Sequence, residues 1–202
     1  MTDVEGPSPT RKLRADGERN RLRLIKAAKR VFAEKGASAS LDQIARDAEL
    51  GIGTLYRHFP TRDALVEAVY RQETEALLSG AAQLSRELEP VSALREWLRI
   101  FVEYLASKQG MSEALKTLIG GTETLYGESS AKVRGALDTL VTAAVETGEI
   151  RMHMEPLDLL RAIAGVANLS PAQNWKRSAV LMVDVLLDGL RTEARRADLE
   201  RS

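Results

Sequence analysis

The sequence predicts an all-α protein of about nine helices, on three observations. Apolar residues recur three and four apart along most of its 202 residues, the spacing that lines one face of a helix. Glycine and proline fall between these periodic stretches rather than inside alternating ones. No convincing strand alternation, internal repeat or low-complexity tract is present.

The first ten residues hold Gly6, Pro7, Ser8 and Pro9 and read as a disordered tail, continued by a basic arm to residue 16. A helix is expected over about 17–35, with Leu24, Ile25, Ala28 and Phe32 on its inner face and Gly36 as a left-handed C-cap. Ser40 opens the next helix, and Gln43 three residues on completes a capping box. Ile44, Ala45 and Ala48 form its stripe, and Gly51 is read as the tight break. A third short helix carries Leu55 and Phe59 on one face and stops at Pro60. Thr61 caps a fourth helix, expected to end near Leu78.

Ser92 is read as the start of a fifth helix, with Leu94, Trp97, Leu98, Phe101, Val102 and Leu105 matching the amphipathic template. A short helix is expected over 113–119, another around Val133, Leu137, Leu140, Val141 and Ala144 up to Gly148, and a third from Pro156 through Leu157, Leu160 and Ile163. The last carries Val180, Val183, Leu186, Leu187 and Leu190.

Zero net charge conceals a polarity. Residues 1–62 hold 13 basic and 8 acidic side chains, leaving 16 and 21 for the remainder. The densest stretch, residues 11–35, has ten basic and three acidic residues. A basic end on an acidic chain is the footprint of a polyanion-binding module, although a solvated helix face looks the same on charge alone. The absence of cysteine excludes disulfides, thiolate catalysis and Cys-ligated zinc. No run approaches the roughly 20 apolar residues of a membrane span, and no signal-peptide core follows Met1, so a cytoplasmic protein is expected.

The pair of short helices between Ser40 and Phe59 has helix-turn-helix proportions. With Leu55 and Phe59 inward, Gly53, Tyr56 and Arg57 point outward, and Ile52 and Thr54 take the shoulders. Gly53 permits close approach to a duplex, Tyr56 and Thr54 can donate to phosphates, and Arg57 can pair bidentately with guanine or hold a phosphate.

Residues 45–65, ARDAELGIGTLYRHFPTRDAL, resemble the TetR/AcrR family of bacterial regulators, whose pattern runs approximately AxxAGVSxGTLYxHFxSKExL. Gly53, Thr54, Leu55, Tyr56, His58 and Phe59 match it, with Arg62 and Asp63 standing for its Lys-Glu pair. Residues 27–36, AAKRVFAEKG, resemble the family's first helix. Two positions depart: Glu49 stands where glycine is usual, and Gly51 where a small polar cap is usual.

The resemblance implies that Thr54, Tyr56 and His58 meet DNA and that Ile52, Gly53 and Arg57 lie near base edges, with Gly51 before them a DNA-binding position as well. It puts Ser40 and Leu41 against the backbone and Arg62 on a phosphate. It further implies a head over 17–62 and an effector-binding and dimerisation body over 63–202. The expected function is a ligand-responsive DNA-binding regulator, a repressor released from a near-palindromic operator by an unknown small molecule. The alternative is a helical small-molecule-binding protein with a vestigial head.

Trp97, Phe101 and Tyr104, followed by Met111, Leu118 and Tyr126, are candidates to line an apolar pocket, although for any one of them simple core packing is the favoured reading. Residues 156–190 are the expected homodimer face. The last helix carries a second set, Leu181, Asp184, Val185 and Asp188, on another face from Val183 and Leu187, and a helix apolar on two faces needs two partners. Val183 and Leu187 are the interface candidates. No enzyme is expected: His58 and His153 have no evident catalytic or metal-binding partners, and Gly120-Gly121 lacks the strand and lysine of a phosphate loop. No cofactor or metal is implied.

Overall fold

A computed structural model describes residues 9–112, 115, 123–169 and 174–192. Among these residues the chain forms eight α-helices and no strand: α1 (Pro9–Lys35), α2 (Leu41–Asp47), α3 (Ile52–His58), α4 (Arg62–Glu87), α5 (Pro90–Gly110), α6 (Glu123–Glu146), α7 (Pro156–Leu169) and α8 (Trp175–Gly189). A 3₁₀ turn, Gly36–Ser38, follows α1. An isolated antiparallel bridge pairs Ile150 with Arg191. The short helix expected over 113–119 falls almost wholly outside the described residues.

Several boundaries differ from the sequence reading. α1 begins at Pro9, so residues 9–16 are helical rather than a disordered arm. Pro9 suits a first helical turn, and the Arg, Lys, Leu and Ala after it are strong helix formers. α4 runs to Glu87, past the expected end near Leu78. Gly80 interrupts it at a cost of about 1 kcal/mol in propensity. Packing of the flanking Leu77 and Ala81, both buried, offsets that cost. α5 starts at Pro90, two residues before Ser92.

The chain divides into two compact units. Met1–Gln72 and Gly110–Gly121 make the first. Its core joins Leu24, Ala28 and Phe32 of α1 to Ile44 of α2, Leu55 of α3, and Leu65 and Val69 of α4. Gly110 passes so close to Ala33 that a Cβ there would lie 2.6 Å from the Ala33 Cα. Glu73–Gln109 and Thr122–Ser202 make the second. Leu94, Trp97, Leu98, Leu137, Leu140, Leu159, Ile163, Val183 and Leu187 build its core. Arg95 and Arg99 of α5 both reach Asp184 of α8, and Arg95 also pairs with Asp188 at 3.1 Å.

The two faces of α8 resolve in a way periodicity did not. Val183 and Leu187, the expected interface positions, are fully buried within the chain's own core. Leu181 and Val185 are 56% and 64% exposed. The first pair completes an interior, and the second carries the unpartnered apolar surface.

Candidate nucleic-acid interface

α2 is entered through Ser40 in extended conformation, whose carbonyl accepts from the Ile44 N–H at 3.0 Å. The expected capping box does not form: the Ser40 side chain makes no cap hydrogen bond. Gln43 turns instead to α1, where its Oε1 accepts from Lys35 Nζ at 2.6 Å. An ammonium donor on a neighbouring helix outcompetes a local amide for that oxygen.

The turn between α2 and α3 is a Schellman motif. The Leu50 N–H donates to Ala45 O at 2.9 Å and the Glu49 N–H to Arg46 O at 2.8 Å, which are the six-to-one and five-to-two bonds of that motif. Its left-handed residue is Glu49, with φ +52°, not Gly51. Gly51 is an ordinary extended N-cap, accepting from Thr54 N at 2.9 Å. A non-glycine in this conformation costs of order 1–3 kcal/mol. The Glu49 carboxylate pairs with Arg23 Nη2 at 2.7 Å, and Asp47 pairs with Arg30 at the same distance. The four side chains and Lys26 line a cleft of about 330 Å³ between α1 and the turn.

α3 shows the expected division of faces. Leu55 and Phe59 are buried, while Gly53, Tyr56 and Arg57 are exposed, Tyr56 by 50%. Ile52, Thr54 and His58 are half-buried. Phe59 ends the helix in extended backbone, the conformation imposed on a residue before proline. The Arg21 guanidinium lies 4.7 Å above its ring and the His58 ring lies tilted beside it. Thr61 Oγ1 then accepts from Ala64 N at 3.1 Å, the expected cap of α4.

Two arginines are engaged at home. Arg57 folds back along its own helix, donating to Thr54 Oγ1 at 3.1 Å and to the Gly53 carbonyl at 3.3 Å. Arg62 donates to the carbonyls of Ala39 and Gly36 and stacks 5.1 Å over Phe32. It thereby fixes the residue immediately before Ser40. Ser40 and Gly51 are exposed and Leu41 is half-buried, so the ten expected positions all lie between the start of α2 and the first turn of α4. The Arg23 and Arg30 pairs escaped sequence reading because their partners are 26 and 17 residues away, beyond any helical spacing.

Among the pocket candidates, Trp97, Phe101 and Tyr104 form a buried column on α5, with successive ring centroids 6.3 and 6.0 Å apart. Trp97 Nε1 donates to the Leu77 carbonyl at 2.9 Å. Met111 is buried in the first unit. Leu118 and the side chain of Tyr126 lie outside the described residues. The exposed His153 sits in the connector before α7.

Two short helices in Schellman linkage, the second presenting a polar exposed face, define the DNA-binding unit of a helix-turn-helix transcriptional regulator. Residues 24–69 match the family model of bacterial regulatory proteins of the tetR family, and residues 89–192 match that of the SbtR-like transcriptional regulator C-terminal domain. A solved TetR transcriptional regulator of Streptomyces coelicolor is 43% identical, with a TM-score of 0.78 over 86% of this chain and 99% of that one. Another from Mycobacterium vanbaalenii is 32% identical, with a TM-score of 0.72 over 89% and 99%. The HTH-type transcriptional regulator UidR of Escherichia coli is 24% identical over 94% of this chain and 88% of its own. The chain belongs to the TetR family of DNA-binding transcriptional regulators. No helix among the described residues is long and apolar enough to cross a membrane.

Proposed function

We propose that the protein is a homodimeric repressor that a small molecule releases from a near-palindromic operator. The observation that carries the reading is the face of α3: Leu55 and Phe59 anchor it in the core, and Gly53, Tyr56 and Arg57 are left to a duplex. In this reading Gly51, Ile52 and Gly53 bring the helix N-terminus to base edges, and Thr54, Tyr56 and His58 hold the flanking backbone. Ser40, with its hydroxyl not spent on a cap, and Leu41 meet the opposite strand, and Arg62 supports that contact through Ala39 beside a phosphate.

Two heads related by a twofold axis read half-sites about 34–36 Å apart. α7 and α8 supply the dimer face through Leu181 and Val185. The body from about residue 63 onward houses the effector, with the aromatic column of α5 as one wall of its site. Binding there favours a head spacing that no longer fits the operator. A vestigial head is disfavoured because the one acidic residue that departs from the family pattern in the turn is neutralised by Arg23.

Anisotropy titration of a duplex selected by the protein from a random library tests the reading. Log affinity is expected to fall linearly with log salt, and a flat dependence refutes it. Tyr56→Ala is expected to weaken binding to every sequence. Arg57→Ala is expected to relax preference at one base pair by about 1–3 kcal/mol. A uniform loss in both reduces Arg57 to a phosphate contact.

A further inference from the structure

The Glu49–Arg23 pair has two features that stability does not explain. The carboxylate is 86% exposed and the guanidinium 44%, so water and salt screen the pair and leave it little value in folding. Its backbone is left-handed, a conformation glycine adopts freely and glutamate does not. The place of the pair is the third feature. Glu49 lies two residues before the N-cap of α3, a reach of at most about 7 Å, and the N-terminal end of a recognition helix is what enters the groove. That is within the Debye length of about 8 Å at physiological salt, so a bare carboxylate there still repels operator phosphates, and salt weakens that repulsion without abolishing it.

We infer that Glu49 and Arg23 set the operator affinity as a matched pair. Arg23 neutralises a carboxylate that otherwise repels phosphate, and Glu49 in turn occupies a guanidinium that otherwise binds one. The protein's affinity is thereby held below what its basic α1 can deliver. Asp47 stands in the same relation to Arg30, about two turns further along α1 and lining the same cleft, and reinforces the offset. This inference rests on DNA binding by the head and adds a determinant outside α3.

The test uses the full-length protein, the duplex selected by the wild type, and a random-sequence duplex, at 50 and 200 mM salt. Glu49→Gln frees Arg23 for one more phosphate. Both duplexes then bind more tightly, and the fall in affinity between the two salts steepens by about 3.5-fold, the effect of one added phosphate contact. Arg23→Gln bares the carboxylate, weakens binding to both and makes that fall shallower. The double variant returns to the wild-type affinity and slope. Glu49→Gly behaves as Glu49→Gln toward DNA while keeping the turn relaxed, which separates charge from backbone. Equal melting temperatures of Glu49→Gln, Arg23→Gln and wild type exclude a folding effect.

Unchanged or weaker binding by Glu49→Gln overturns the inference. So does a double variant that stays as weak as Arg23→Gln, since Arg23 then grips DNA directly in the wild type. Failure of the wild type to bind any duplex overturns the DNA-binding reading itself, and the inference with it.

Discussion

Replacing Leu181 and Val185 together by glutamate is expected to give a folded monomer. Full burial of a Leu or Val side chain is worth about 1.5–3 kcal/mol. The two side chains are 56% and 64% exposed in the single chain, so covering them contributes about 2–3.5 kcal/mol per subunit. A twofold interface uses the same patch twice, which brings the loss to about 4–7 kcal/mol, or three to five orders of magnitude in dimer Kd. Sedimentation velocity at micromolar concentration reads this directly, as the wild-type dimer of 22.2 kDa chains against a single chain. Val183→Glu is the contrasting control: it buries a charge in the core of the second unit and is expected to unfold the body rather than dissociate it. A double Leu181/Val185 variant with wild-type dimer affinity refutes the placement of the interface on this face. A wild type that sediments as a monomer at all accessible concentrations refutes the dimer.

Other outcomes follow from the same geometry. Trp97→Ala removes a fully buried indole and its bond to the Leu77 carbonyl, at about 3–5 kcal/mol. For a chain of this size that lowers Tm by roughly 6–20 °C, and a smaller shift means the column is loosely packed. Gly110→Ala forces a methyl to 2.6 Å from the Ala33 backbone and is expected to destabilise by about 1–3 kcal/mol in denaturant titration, where a neutral result refutes the close approach. At Asp188, desolvation opposes ionisation, but hydrogen bonds from Arg191 and Arg95 outweigh it and hold the carboxyl below its ordinary value of 3.8. Its contribution is therefore present above that value and lost as pH falls through the depressed one, so Asp188→Asn is expected to flatten the acid limb of stability between pH 5 and 2. An unchanged limb excludes the group.

The sequence by itself determined what depends on neighbours along the chain. The faces of α3 follow from Leu55 and Phe59 four residues apart, and Pro60 and Thr61 mark the boundary with α4, because a helix repeats locally. The same locality makes the head recognisable, since the motif that carries the resemblance, residues 45–65, is one continuous stretch. Tertiary structure alone decided which partner each face and each long side chain met. Periodicity identified two apolar faces on α8 and the interface was expected at Val183 and Leu187, whereas packing within the second unit buried that pair and left Leu181 and Val185 outside. Gln43 left its capping box for Lys35, and Arg62 turned to the Ala39 carbonyl. Glu49, not Gly51, took the left-handed position, beside an arginine 26 residues earlier. Charged and amide side chains span several ångströms on flexible stems, so their partners are set by which helices lie within reach, and that is known only once the core has closed.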